Sequence, residues 1–95
     1  GKIDRAAVEK YLRQRTVAVQ RCYYDVVRRN PNAGGRLVLE LTIATNGRAA
    51  VKVVSDSVGD SGVAKCVTQK IGSWRFPKPE QKSVRLKVPF VFRSL

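Results

Sequence analysis

The chain holds two cysteines, Cys22 and Cys66, and each falls on the apolar face of a different predicted helix. Two inward-facing cysteines on helices separated by a hairpin constrain both the packing and the compartment. The pair reads as a staple in a small domain that meets an oxidising environment. A disulfide closing a loop of about 40 residues stabilises by roughly 4 kcal/mol on the chain-entropy account. Two buried free thiols are the alternative, because cysteine is among the most buried residue types. A metal site is not expected, since the sequence has no histidine and no second cysteine pair and zinc takes four ligands. A redox-active pair is not expected either, because the cysteines are not spaced as CxxC.

At 95 residues the chain is expected to form one domain over 1–95, with one modest core. There is no apolar run long enough to span a membrane and no signal-peptide pattern at the start. Gly1 followed by Lys2 reads as a cut start, so the segment is expected to be one end of a longer protein whose anchor lies upstream. The net charge of +12, from 19 Lys and Arg against 7 Asp and Glu, predicts attraction to an anion: nucleic acid, acidic lipid or lipopolysaccharide, a cell-wall polymer or an acidic protein segment. A solvated basic surface that keeps the domain soluble is the plainer alternative.

Asp4 to Arg29 has helical periodicity. Val8, Leu12, Val19, Cys22, Tyr23, Val26 and Val27 recur at three- and four-residue steps, with Tyr11 beside them. Asp4 is placed to cap the start, and Asn30-Pro31 stops the helix, because the residue before proline avoids helical angles. The β-branched pair Thr16-Val17 is a weak point where a break is possible. Arg36 to Ile43 alternates as a half-buried strand, with Leu37, Leu39, Leu41 and Ile43 on one face. Asn46-Gly47 signals a hairpin with a type I′ turn, and Arg48 to Ser55 is the return strand. After the polar loop Asp56 to Ser61, Asp60 or Ser61 caps a second helix that runs to about Ser73. Val63, Val67 and Ile71 form its stripe, with Cys66 beside them. Trp74 and Phe76 are expected to seal the core at the helix exit. The last strand is Ser83 to Arg93, with Val84, Leu86, Val88, Phe90 and Phe92 inward and Arg85, Lys87, Pro89, Val91 and Arg93 outward. Pro89 cannot donate to a ladder, so this strand belongs at a sheet edge.

The expected fold is α+β: helix-strand-strand-helix-strand, a three-stranded antiparallel sheet with both helices on one face. The other face, with Val38, Lys52 and Val54, is left to solvent or a partner. No catalytic constellation is found. With no histidine the usual acid-base group is missing, the seven acidic residues are scattered, and no glycine-rich segment has the phosphate-cradling pattern. The chain is therefore read as a binding or interaction domain with no cofactor, not an enzyme.

Several motifs, in order, resemble the C-terminal domain of the TonB family of energy transducers. They are Gly35-Arg36-Leu37-Val38-Leu39, then Ile43 with Asn46-Gly47-Arg48, Val51 and Val53, then Trp74-Arg75-Phe76-Pro77, then Val88-Pro89-Phe90-Val91-Phe92. Arg21-Cys22-Tyr23-Tyr24 with Val63-Ala64-Lys65-Cys66-Val67 is similar to the cysteine-bearing variety at the end of AgmX/PglI-type proteins of bacterial gliding machinery. The resemblance implies a periplasmic module at the end of an inner-membrane-anchored protein, which couples an inner-membrane motor driven by the proton-motive force to an outer-membrane or periplasmic partner. It also implies the mechanism: an extended peptide adds a strand beside Ser83 to Arg93, with Arg85, Lys87, Pro89, Val91 and Arg93 as the partner-binding residues. Arg85, Lys87 and Arg93 would select an acidic or polar peptide. Pro89 removes a donor mid-strand, so a long unbroken ladder is not expected there, and it also blunts the edge against aggregation.

Two other readings use the charge. The element order matches an RNA-recognition fold that has lost its first strand, although the strands Leu37 to Ile43 and Arg48 to Ser55 carry no aromatic residue on which a base could stack. Alternatively, Arg13, Arg21, Arg28 and Arg29 form a basic cluster suited to an anionic cell-envelope polymer.

Overall fold

A computed structural model describes residues 2–93; Gly1 lies outside them. The elements are α1 (Lys2–Arg13), α2 (Thr16–Val27), β1 (Gly35–Ile43), β2 (Ala49–Asp56), α3 (Ser61–Ser73) and β3 (Val84–Phe92). The strands form one antiparallel sheet in the order β2-β1-β3, so the α+β expectation holds. None of these helices is long and apolar enough to cross a membrane.

The alternation of β1 builds the sheet. Leu37, Leu39, Leu41 and Ile43 are fully buried, whereas Arg36, Val38, Glu40 and Thr42 between them are not. Successive side chains on a strand point to opposite faces, so one face is covered by the helices and the other is open. Val8, Val19, Cys22, Tyr23, Val63, Val67 and Ile71 from the helices complete the core. Cys22 on α2 and Cys66 on α3 are joined, with Cα atoms 5.6 Å apart. The staple therefore ties together two helices that also pack against each other.

Four local expectations need correction. First, the helical stretch Asp4 to Arg29 is two helices, and the break falls at Gln14-Arg15 rather than at Thr16-Val17. Side chains take up carbonyls that the end of α1 leaves unsatisfied. Arg15 donates to the Tyr11 carbonyl at 3.2 Å and lays its guanidinium 3.4 Å from the Tyr11 ring centroid, while Thr16 Oγ1 donates to the Arg13 carbonyl at 2.9 Å. Second, α1 already begins at Lys2, so Asp4 lies inside its first turn rather than just ahead of it. Third, the hairpin is present but is not type I′. Only Gly47 has positive φ (85°); Asn46 does not. Gly47 N–H donates to Ala44 and Ala44 N–H to Arg48, a three-residue loop with glycine in the left-handed position. Fourth, the loop after β2 is not wholly polar, because Val58 is buried in the core.

That loop is fixed from both sides. Gly34 N–H donates to the Val58 carbonyl at 2.9 Å, and Ser57 N–H donates to the Arg36 carbonyl at 2.9 Å. A Cβ on Gly35 (φ 151°) would meet the Ser57 carbonyl oxygen, so only glycine fits where β1 starts. Of the two expected caps of α3, Asp60 rather than Ser61 takes the position, and its carboxylate accepts from Gly62 N–H at 2.8 Å and from Asn30 Nδ2 at 3.1 Å. The Asn30 amide, the Gly62 N–H and the Arg29 charge hold its pKa below the ordinary 3.8. A lowered carboxyl pKa stabilises the fold above the unfolded value, and that contribution is lost as pH falls through the folded value. Asp60→Asn is therefore expected to lower the melting temperature near neutral pH. The gap from the parent should narrow in acid below the ordinary value, as read by thermal melts across a pH series.

Trp74 and Phe76 close the end of the core, as their position suggested. Phe76 is buried, and its ring centroid lies 4.7 Å from that of Tyr11; Trp74 meets Tyr11 edge-on at 6.3 Å.

Candidate functional site

The last strand is an edge strand with a defined hydrogen-bonding direction. Ala44 N–H donates to Arg48 and Ser57 N–H donates to Arg36, so the even-numbered residues of β1 direct their backbone groups toward β2. Antiparallel ladders alternate, so the odd-numbered residues bond to β3. Their partners are Phe92, Phe90, Val88, Leu86 and Val84, which point their N–H and C=O inward. Arg85, Lys87, Pro89 and Val91 therefore point theirs outward, away from the sheet. The Arg5 guanidinium agrees with this phase, because it donates to the Arg85 carbonyl at 2.9 Å from the helix that flanks this edge.

Pro89 fits this pattern. It pairs with Val38 across the ladder at a position where no inward N–H is needed, so the imino nitrogen removes a donor only from the outer edge. Lys87 and Val91 each keep an outward N–H and C=O, and Pro89 keeps its C=O. The usable ledge runs from Lys87 to Val91. Arg85 sits at its upstream end with its carbonyl already taken, and Arg93 lies just past the strand. Four of the five proposed partner-binding residues, Arg85, Lys87, Pro89 and Val91, thus fall on one outward-facing row, and the last three form its open part.

On the helix side, β3 is closed at both ends and open in the centre. Val84, Leu86 and Phe92 are buried, but Val88 and Phe90 are only half-buried. The gap coincides with the break between α1 and α2. There a groove of about 370 Å³ is walled by Glu9, Leu12, Arg13, Thr16 and Gln20 on one side and by residues 86–91 on the other. Sequence periodicity did not reveal this groove. It depends on where the helix breaks, and the one signal, the β-branched pair Thr16-Val17, marks the site only to within two residues.

The other candidate surfaces are less organised. The cluster Arg13, Arg21, Arg28 and Arg29 is divided. Arg13 stands at the groove, Arg28 pairs with Asp25 at 2.7 Å, and Arg29 neighbours Asp60 and Gly62. The open sheet face presents Arg36, Val38, Glu40 and Thr42 in the centre, flanked in register by Ala50, Lys52, Arg85, Lys87, Pro89 and Val91. No aromatic stands among these residues, so this face offers no platform for stacking bases.

Comparison with family models, with curated proteins and with solved structures finds no match to this chain. The bonded pair Cys22–Cys66 is compatible with an oxidising, extracytoplasmic compartment.

Proposed function

We propose that this domain is a non-catalytic interaction module that captures an extended peptide by strand addition along β3. The observation that carries the reading is the ledge from Lys87 to Val91, where Lys87 and Val91 turn both N–H and C=O outward and Pro89 turns its C=O outward, beside an open groove. Main-chain pairing would supply affinity and the alternating side chains specificity. The compartment we propose is the periplasm, in keeping with the disulfide. There the TonB-like motifs imply a link between an inner-membrane motor and an outer-membrane or periplasmic partner, as in gliding machinery.

The outward phase of β3 gives a sharp test. Val91→Pro removes an outward donor and leaves the ladder to β1 intact. It is expected to fold with a melting temperature close to the parent and to bind peptide about tenfold more weakly, the cost of one unpaired group at the new interface. Phe90→Pro removes an inward donor and is expected to destabilise the fold itself. Melts paired with calorimetric titration separate the two effects. Equal peptide affinity for Val91→Pro and the parent would count against strand addition.

A further inference from the structure

The open middle of β3, the break between α1 and α2 and the charges around the edge together define which peptide the ledge can take. An added antiparallel strand would form hydrogen-bonded pairs with Lys87, Pro89 and Val91, and its side chains there would lie on the open face. Its two intervening residues would pair with Val88 and Phe90, and their side chains would turn toward the helices. That is where the groove lies, beside Leu12 and Thr16. Val88 and Phe90 are the two helix-side residues of β3 that the core leaves half-uncovered. Two apolar side chains at alternate positions would complete the cover. At about 370 Å³ the groove is at the small end of the roughly 300–1,000 Å³ range of ligand clefts, which suits side chains rather than a whole ligand.

The open-face positions meet positive charge at both ends. One lies opposite Lys87, which is paired with Glu40 across the ladder on its far side, with Arg85 diagonal to it. The other lies opposite Val91, which is paired with Arg36 across the ladder and followed closely by Arg93. The central position faces Pro89 and is indifferent to charge. We infer that the edge groove selects an extended segment with a five-residue core of the pattern acidic, apolar, any, apolar, acidic, whose two apolar side chains seat between β3 and the helix break. This inference rests on strand addition and adds the partner's chemistry to it.

The test uses two synthetic peptides of identical composition. One has the core aspartate, isoleucine, serine, valine, glutamate; the other places isoleucine and valine side by side, so that only one can face the groove. Each is titrated into the parent and into Thr16→Trp, which fills the groove from an exposed position at the start of α2. Amide chemical shifts and calorimetry are recorded together. The alternating peptide is expected to bind the parent at least tenfold more tightly than its isomer, with the largest shifts at residues 86–91. Thr16→Trp gives up the exposed hydrogen bond to the Arg13 carbonyl, so its melting temperature is expected to fall by a few degrees while the domain stays folded, and it is expected to abolish that preference. Equal binding of both peptides to the parent, with shifts on β3, would overturn the groove assignment and leave strand addition standing. If neither peptide shifts β3, or if shifts are confined to Arg21 and its neighbours on α2, both the groove and the added strand are overturned.

Discussion

Reduction of Cys22–Cys66, or the double substitution Cys22→Ser with Cys66→Ser, is expected to lower the melting temperature by roughly 15–30 °C. The cross-link joins residues 44 apart in sequence. A loop of that size restricts the unfolded chain by about 4 kcal/mol, and each kcal/mol moves the melting temperature of a domain this small by about 4–8 °C. The effect is large because the packing it supports is modest: α2 and α3 meet over a single sheet, and Val88 and Phe90 on the helix side of β3 are only half-covered. Thermal melts with and without reductant measure it directly. A shift of only a few degrees would show that helix packing alone fixes α2 against α3. The same experiment bears on the compartment, since a domain that depends on its disulfide belongs where disulfides persist.

Phe92→Ala is the second large effect, with an expected loss of about 3–5 kcal/mol. Phe92 is 1% exposed. Its ring stacks on Tyr23 with centroids 5.2 Å apart, and the Tyr23 hydroxyl donates to the Ala33 carbonyl at 2.7 Å. The end of β3, the middle of α2 and the loop before β1 therefore share one aromatic contact. The neighbouring Val91 is 51% exposed and faces the other side, so Val91→Ala is expected to change stability by no more than about 0.5 kcal/mol. Denaturant unfolding of the two variants measures the phase of the strand. Similar losses for both would mean that the tail does not alternate as described.

Much of this fold is legible in the sequence because its strands alternate cleanly. Leu37 to Ile43 and Val84 to Phe92 each show a period of two, and both are read to within a residue or two of their bounds. The inward cysteines on two helices foretell which helices meet. The edge position of β3 follows from Pro89, because a strand carrying proline in its interior has to keep one side free of the ladder. Three features escape the same reading for physical reasons. The helix break at Gln14-Arg15 depends on Arg15 bending back onto Tyr11, a contact that periodicity does not encode. The hairpin loop holds one more residue than the dipeptide Asn46-Gly47 suggests, so only the glycine needs positive φ. Val58 stands among polar neighbours and reaches the core because Gly34 and Arg36 draw its loop against the sheet. The groove inherits the first of these uncertainties, since it opens where the helix breaks. The ledge does not, because the direction of each backbone group in β3 follows from register alone.

We propose that the outer edge of β3 is a free ledge that an extended peptide completes. Residue-resolved amide hydrogen exchange tests it most directly, with and without the alternating acidic peptide. In the free domain the N–H groups of Lys87 and Val91 are expected to exchange rapidly, while those of Val88 and Phe90, bonded to β1, are protected. On adding saturating peptide, Lys87 and Val91 are expected to become protected while Val88 and Phe90 change little. If Lys87 and Val91 are already protected in the free domain, or stay fast with peptide bound, the account is contradicted.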